Sequence, residues 1–349
     1  MRSRSREITF RDGTTIETPL LVPSLSSKGF APVEVGDQGE APAPAGTLNL
    51  FGADAFYESL LLSAYDIHYQ QVLEPESLKK GYAKSPYAIP QFLIIDSGWY
   101  EATPGSDLGE PYEETRESRE WTPEQYRATV ESLDPDLKAA LVSFDVHGPY
   151  EEQISAAQEF FADHPQFVRT LMLKPPGAGS YHQNQIKKLA PDAKRLRVFD
   201  IIGVTEKELG NTIVNRLKTV FELATMLDEA GVDAPIHVFG GLDPLYTPLY
   251  FAAGAEIFDG LTWLRYGYYE GMGLYRQSLP ILKRQFDKRL PFAILDAQAD
   301  NLDAMRELSR ELKVFADQNE DWNVLRNGAL LKPAHDALRS AVSRRSRGR

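Results

Sequence analysis

Three short apolar runs in this chain stop abruptly on an aspartate. They are Phe92-Leu-Ile-Ile-Asp96, Ala140-Leu-Val-Ser-Phe-Asp145 and Glu256-Ile-Phe-Asp259. Each run has the length and residue types of a buried strand. Runs apolar at successive positions are characteristic of parallel strands covered on both faces. In a parallel α/β protein the C-terminal ends of the strands share one face, and active sites are built there. The pattern therefore predicts three carboxylates converging at one mouth, the equipment for cleaving a glycosidic bond. The competing reading is that a strand-end Asp caps the helix that follows.

Between these runs the chain alternates strand and helix signals. Ile8–Ile16 reads as a hairpin turning at Asp12-Gly13. Strands are predicted at Leu20–Pro23, Thr47–Leu50, Phe92–Asp96, Ala140–Asp145, Val168–Lys174, Val198–Gly203, Pro235–Phe239 and Glu256–Asp259. Thr122-Pro-Glu-Gln125 carries a capping box with Pro at the first helical position. Further helices are expected over about 151–162 and 183–189, from a cap at Thr205-Glu-Lys-Glu208 to about Ala230, after Asp243-Pro244, and over about 271–288. About eight strands alternating with helices predict a (β/α)8 TIM barrel over residues 1–290 rather than an open doubly wound sheet. No G-x-G-x-x-G follows a strand into a helix, so a dinucleotide fold lacks its fingerprint. Residues 291–349 read as a helical C-terminal segment with a basic tail. The acidic stretch 101–120 reads as a loop, and a lid is the function expected of it.

Composition narrows the chemistry. The chain has 349 residues, a net charge of −12 and no cysteine. Thiol nucleophiles, disulfides and thiolate metal sites are thereby excluded. The six histidines show no H-x-x-x-H or H-x-x-E-H spacing, so no catalytic zinc is signalled. No cofactor is implied. No apolar stretch approaches the roughly 18–20 residues of a membrane span, and Met1–Arg6 lacks the apolar region of a secretory signal. A cytoplasmic location fits. The acidic balance argues against a protein that coats DNA, but leaves room for a local basic patch. Arginines gather at both ends: Arg2, Arg4 and Arg6, then Arg339, Arg344, Arg345, Arg347 and Arg349. These ends read first as solubilising tails, and second as phosphate contacts.

The same residues resemble the tRNA-guanine transglycosylase superfamily. Asp12-Gly-Thr-Thr-Ile-Glu-Thr-Pro19 with Val22-Pro23 is similar to that family's N-terminal hairpin and first strand. Ile95-Asp96-Ser97-Gly98 resembles its Asp-Ser-Gly-Gly segment, Phe144-Asp145 its base-recognition pair, and Gly203-Val204 the glycine segment beside the base. His237-Val-Phe-Gly240-Gly241-Leu-Asp-Pro244 resembles its Gly-x-Gly-x-Pro turn. Phe258-Asp259, with Arg265 six residues on, resembles the nucleophile strand. These matches run in the family's order over residues 6–275. The resemblance makes Asp259 the nucleophile at C1′ and Asp96 the acid/base, with Arg265 favouring the ionised nucleophile. It makes Asp145, Ser97, Gly98, Tyr100, Lys174, Gly203, Gly240, Gly241 and Arg265 substrate-binding. For each of these there is a plainer reading: a helix cap for Asp145, a core tyrosine for Tyr100, turn glycines, a salt-bridged or solvated Lys174. His147 reads as a surface imidazole.

The departures are as informative. The family's structural zinc sits on three cysteines and a histidine, and this chain has no cysteine. Trp99 and Glu101 replace a Gly and a Gln, and Lys174 stands where the family holds the base with Gln. The resemblance thus points to the zinc-less branch that inserts 7-deazaguanines into DNA, ahead of tRNA modification. It implies nucleic acid and a 7-deazaguanine base as partners; the acidic net charge separately suggests a helicase or ATPase partner to open duplex DNA. Monomer and homodimer both stay open. A non-catalytic barrel that binds nucleic acid or a base, or a hydrolytic glycosylase on the same site, remain as alternatives.

Overall fold

The structure, a computed structural model, describes residues 3–30, 33–34, 40–56, 58–72, 91–103, 118–177, 179–183 and 185–346. The chain opens with a hairpin of β1 (Glu7–Thr9) and β2 (Thr15–Glu17), paired antiparallel across the Asp12-Gly13 turn. Barrel strand β3 (Leu20–Pro23) follows. A two-residue pairing of β4 (Val33–Glu34) with β5 (Glu40–Ala41) precedes helix α1 (Ala43–Phe51). The remaining barrel strands are β6 (Ser59–Ser63), β7 (Phe92–Asp96), β8 (Ala139–Val142), β9 (Val168–Leu173), β10 (Ile201–Thr205), β11 (Ile236–Phe239) and β12 (Ile257–Gly260).

These eight strands form one parallel sheet in the order β3-β12-β11-β10-β9-β8-β7-β6. A parallel bridge between Ser24 and Leu61 brings the two edges together. The result is the expected (β/α)8 barrel. Period-two alternation divides its strands into two layers. Leu20, Val22, Leu61, Phe92, Ile94, Ala140, Val142, Val168, Met172, Ile201, Phe239 and Ile257 fill the bore. Leu21, Leu60, Leu62, Leu93, Ile95, Leu141, Leu171, Ile202 and Val238 face the surrounding helices. Ile8 and Phe10 of the hairpin join the bore cluster and close its lower end, with Phe10 edge-on to Phe92 at 5.6 Å. Each such fully buried side chain contributes roughly 1.5–3 kcal/mol.

Several expectations are corrected. Thr47–Leu50 is not a strand but the second half of α1, which starts in the Pro42-Ala43-Pro44 stretch. The second barrel strand is β6, whose short Ser-Leu-Leu-Leu-Ser run is buried at every position. Asp145 lies three residues beyond the end of β8, in the following loop, rather than on the strand. Thr205 does not cap the long helix. Helix α6 (Ile213–Ala230) begins at Thr212, whose side chain accepts from Asn215 N. The capping box of α4 (Pro123–Ser132) forms as expected between Thr122 and Gln125, and α5 (Tyr150–Ala162) also forms as expected.

After β12 the chain passes through the short α8 (Thr262–Arg265). The helix expected over 271–288 is then replaced by a second hairpin, β13 (Tyr266–Tyr269) with β14 (Met272–Tyr275), and the four-residue helix α9 (Leu279–Leu282). Glu270 and Gly271 turn the hairpin, both at positive φ (49° and 73°), the backbone that the right-handed strand twist favours in two-residue turns. The long α10 (Leu290–Asp317) and α11 (Gly328–Ser346) complete the chain. Among the described residues, no helix is long and apolar enough to cross a membrane.

Of the N-terminal arginines, Arg2 lies outside the described residues, and Arg4 and Arg6 are not a solvated tail. Arg6 is buried and bonds Glu256 Oε1 at 2.7 Å and Ala234 O at 2.8 Å, and Arg4 bonds Glu256 Oε1 at 3.2 Å. Glu256 immediately precedes β12, so this ion cluster locks the chain terminus onto the lower end of the barrel. Of the C-terminal arginines, 347 and 349 lie outside the described residues, as do 104–117 of the expected lid.

Candidate active site

Alternation within the barrel sends Ser24, Asp96, Lys174, Thr205, His237 and Asp259 toward the C-terminal mouth. Asp259 is buried and held by three donors. Ser24 Oγ donates to Oδ2 at 2.7 Å, Gly240 N to Oδ1 at 3.1 Å, and His237 Nε2 lies 2.9 Å from Oδ1. A carboxylate accepts from all three. His237 is fully buried and stacks on Phe239 at 3.7 Å, which fixes its ring plane; its Nδ1 is buried with no hydrogen-bond partner. Gly203 makes room for this stack, since a Cβ there would lie 2.7 Å from Phe239 Cε2.

Asp96 ends β7 opposite Ser63 of β6. Burial, reinforced by the charges of Asp145, Glu101 and Asp259, holds its carboxyl well above the usual carboxylate range, against the pull of the Gly98 N–H. That N–H reaches Asp96 Oδ2 at 3.3 Å because Gly98 adopts φ +85°. Any side chain at Gly98 would strike Tyr65, whose Cβ and N lie 2.7 Å from the position of a Cβ. Trp121 secures the same turn by donating Nε1 to Ser97 O at 2.8 Å. Asp96 and Asp259 thus occupy unlike environments: one favours its protonated form, the other is clasped by donors.

Asp145 belongs to a separate buried network. Ser97 Oγ donates to its Oδ1 at 3.0 Å, and the Lys174 ammonium lies 3.1 Å from its Oδ2. Lys174 also reaches Glu208 Oε2 at 2.7 Å and Thr205 Oγ1 at 3.3 Å. Burial alone would lower the Lys174 pKa, but the two carboxylates outweigh it and raise the value above its ordinary level. The solvated reading of Lys174 is therefore wrong: it is a buried cation bridging two acids. Asp145 does not cap a helix, because α5 starts after Pro149 with no side-chain cap.

The other expected site residues fall as follows. Tyr100 lies in α3 (Trp99–Ala102), with the Lys28 ammonium 4.3 Å from its ring centre and bonded to its carbonyl. Gly240 takes φ +75° to aim its N–H at Asp259, and a Cβ at Gly241 would lie 2.7 Å from Val238 Cγ1. Arg265 ends α8 with its guanidinium 5.1 Å from the Phe30 ring. Ser24 and His237 are the side chains hydrogen-bonded to Asp259 among the described contacts. His147 is exposed, as a surface imidazole should be.

Four contributors went unassigned from sequence: Ser24, His237, Glu101 and Glu208. His237 stands two residues before Phe239, and strict alternation along β11 would have turned it inward. Glu101 is buried, takes a 2.5 Å hydrogen bond from Ser26 Oγ on Oε1, and leaves Oε2 without a hydrogen-bond partner. A cavity of about 560 Å³ opens at the other end of the barrel beside Phe10, Arg169 and Asp200, away from these carboxylates. No family model matches the chain, and no curated protein matches it in sequence.

Proposed function

We propose that this barrel is a base-exchange transglycosylase that replaces guanine in nucleic acid, DNA ahead of tRNA, with a 7-deazaguanine. The observation that carries the reading is the contrast between Asp259 and Asp96. Two inversions at one carbon need a nucleophile on one face of the sugar and a proton donor at the leaving base. Oδ1 of Asp259 is taken up by His237 and Gly240, whereas among the described residues Oδ2 carries the Ser24 hydroxyl alone. Oδ2 is the oxygen that attacks C1′. The C1′–N9 bond breaks as the C1′–O bond forms, and Asp96, whose protonated form is favoured by burial and by its acidic neighbours, gives its proton to the departing base. The incoming base returns a ring N–H proton to Asp96, bonds to C1′ and releases Asp259. The target nucleotide has to be unpaired or flipped out for its C1′ to be reached.

The buried Ser97–Asp145–Lys174–Glu208 network lines the same mouth. With Asp145 already engaged on both oxygens, base recognition here rests on a preformed acid–lysine pair rather than on a free carboxylate. The reaction is tested by labelled-base exchange with duplex DNA, single-stranded DNA and total tRNA run in parallel, offering guanine and 7-cyano-7-deazaguanine. Label entering DNA and not tRNA supports the reading. Label entering neither, with Asp259→Ala equal to wild type, removes it.

A further inference from the structure

Fourteen large hydrophobic side chains are exposed among the described residues, and six of them fall within residues 275–292. They are Tyr275, Ile281, Leu282, Phe286, Leu290 and Phe292, with Phe286 74% exposed and Ile281 66%. Scattered exposed apolar residues are ordinary, but a concentration of this kind marks a contact surface. The same stretch is basic in an acidic chain. It holds Arg276, Lys283, Arg284, Lys288 and Arg289 against the single acid Asp287, while the whole chain carries −12.

The segment is also tied to its neighbours by ion pairs and hydrogen bonds. Lys283 and Lys288 are ion-paired to Asp300 and Asp296 of α10, which folds the turn back on that helix. Arg284 adopts φ +56° in the turn, leaving its own side chain and that of Phe286 exposed. Arg276 Nη1 donates to Leu264 O at 2.8 Å, and Asn301 Nδ2 donates to Trp263 O and Tyr266 O. Trp263 in turn donates to Ser24 O, and Ser24 holds Asp259. The segment is thus tied to the nucleophile strand through α8. Ser309 of α10 bonds Pro19 O at the lower end of β3, while Asn301 meets α8 at the upper end. The helix start at Leu290 therefore rises about 16 Å beyond Asn301, on the mouth side, at about 1.5 Å per residue.

We infer that residues 275–292 form a wedge that engages duplex DNA beside the mouth and unstacks it. This rests on the transglycosylase reading and adds to it how a paired nucleotide becomes reachable. The exposed Arg284 and Arg289 fit the phosphates, and apolar side chains such as Phe, Leu and Ile are those that proteins insert between base steps. Insertion of such side chains between base steps is how proteins kink duplex DNA from its minor groove, and that commits the surface to DNA.

The test uses the full chain and a DNA duplex carrying 2-aminopurine, whose fluorescence rises on unstacking. Wild type should raise the signal several-fold. Phe286→Ala, an exposed position whose change should leave the thermal midpoint unmoved, should lose most of that rise. Base exchange on single-stranded DNA should survive in the same variant. Arg284→Glu with Arg289→Glu should weaken duplex binding at least tenfold and lower the salt slope by about two. Equal fluorescence from Phe286→Ala and wild type would overturn the wedge. So would preference for an RNA stem, or a Phe286-dependent homodimer with no DNA binding. Unstacking without any base exchange would uphold the wedge and refute the transglycosylase reading, whereas exchange without Phe286-dependent unstacking would do the reverse.

Discussion

His237 Nε2 lies 2.9 Å from Asp259 Oδ1, with both side chains buried in the barrel mouth. The imidazole is immobilised by Phe239 on one side and orients the carboxylate on the other. This makes His237 a positioning residue for the proposed nucleophile. Asp259→Ala should abolish base exchange and leave the fold intact. His237→Gln should lower kcat by about 10²-fold, the scale of a small misplacement of a reacting group, with little change in KM. Equal loss in kcat and in substrate binding would assign His237 a broader structural role.

Asp96 gives a pH signature. Its carboxyl is held above the usual range, so the folded chain retains a proton that the unfolded chain has already released. By linkage, stability falls as pH rises from the ordinary Asp value through the raised folded value. Asp96→Asn removes the group that must ionise. The variant should therefore be more stable than wild type at pH above the raised value and no more stable near pH 3. It should also lose exchange activity. Thermal unfolding of both proteins across pH measures this, and a pH-independent difference would remove the assignment.

Lys174 joins Asp145 and Glu208 in a site where all three are largely buried. Removing the cation leaves two acids without their partner, which costs about 3–5 kcal/mol for a buried pair. Lys174→Met should lower stability by that order in denaturant titration. Adding Asp145→Asn should recover part of the loss, because less unpaired charge stays buried. Additive losses in the double variant would show that the pair is not coupled.

The N-terminal clamp predicts a different pH dependence. Burial pushes Glu256 up to about 7, against the pull of Arg6, Arg4 and the Ile236 N–H. Below that value Glu256 is protonated and needs its arginines less. Arg6→Ala should therefore destabilise more at pH 8 than at pH 5, since only the ionised acid is stranded. A loss of about 3–5 kcal/mol is expected at pH 8. A variant penalty that is flat with pH would refute the clamp.

Much of the barrel is legible along the chain because its signals are local. The runs ending at Asp96 and Asp259 are each specified by a few consecutive apolar residues, and the Thr122 capping box needs only four neighbouring residues. β6 escaped because a run of three leucines between serines is too short to be told from a buried helix segment by pattern, and its burial on both faces comes from the closed sheet. The β13–β14 hairpin escaped because Glu270-Gly271 is a weak turn dipeptide, and its helix-like spacing of tyrosines and leucines was equally consistent with a helix.

What the sequence determined by itself is the set of parts: alternating strands and helices, and acids at strand ends, each specified by neighbours in the chain. Only the tertiary structure decided how those parts pair. His237 meets Asp259 across 22 residues, Lys174 meets Asp145 across 29, and Arg6 reaches Glu256 across 250. Those partnerships follow from strand register and barrel closure, which bring distant inward-facing positions together and remove the water that would otherwise screen their charges.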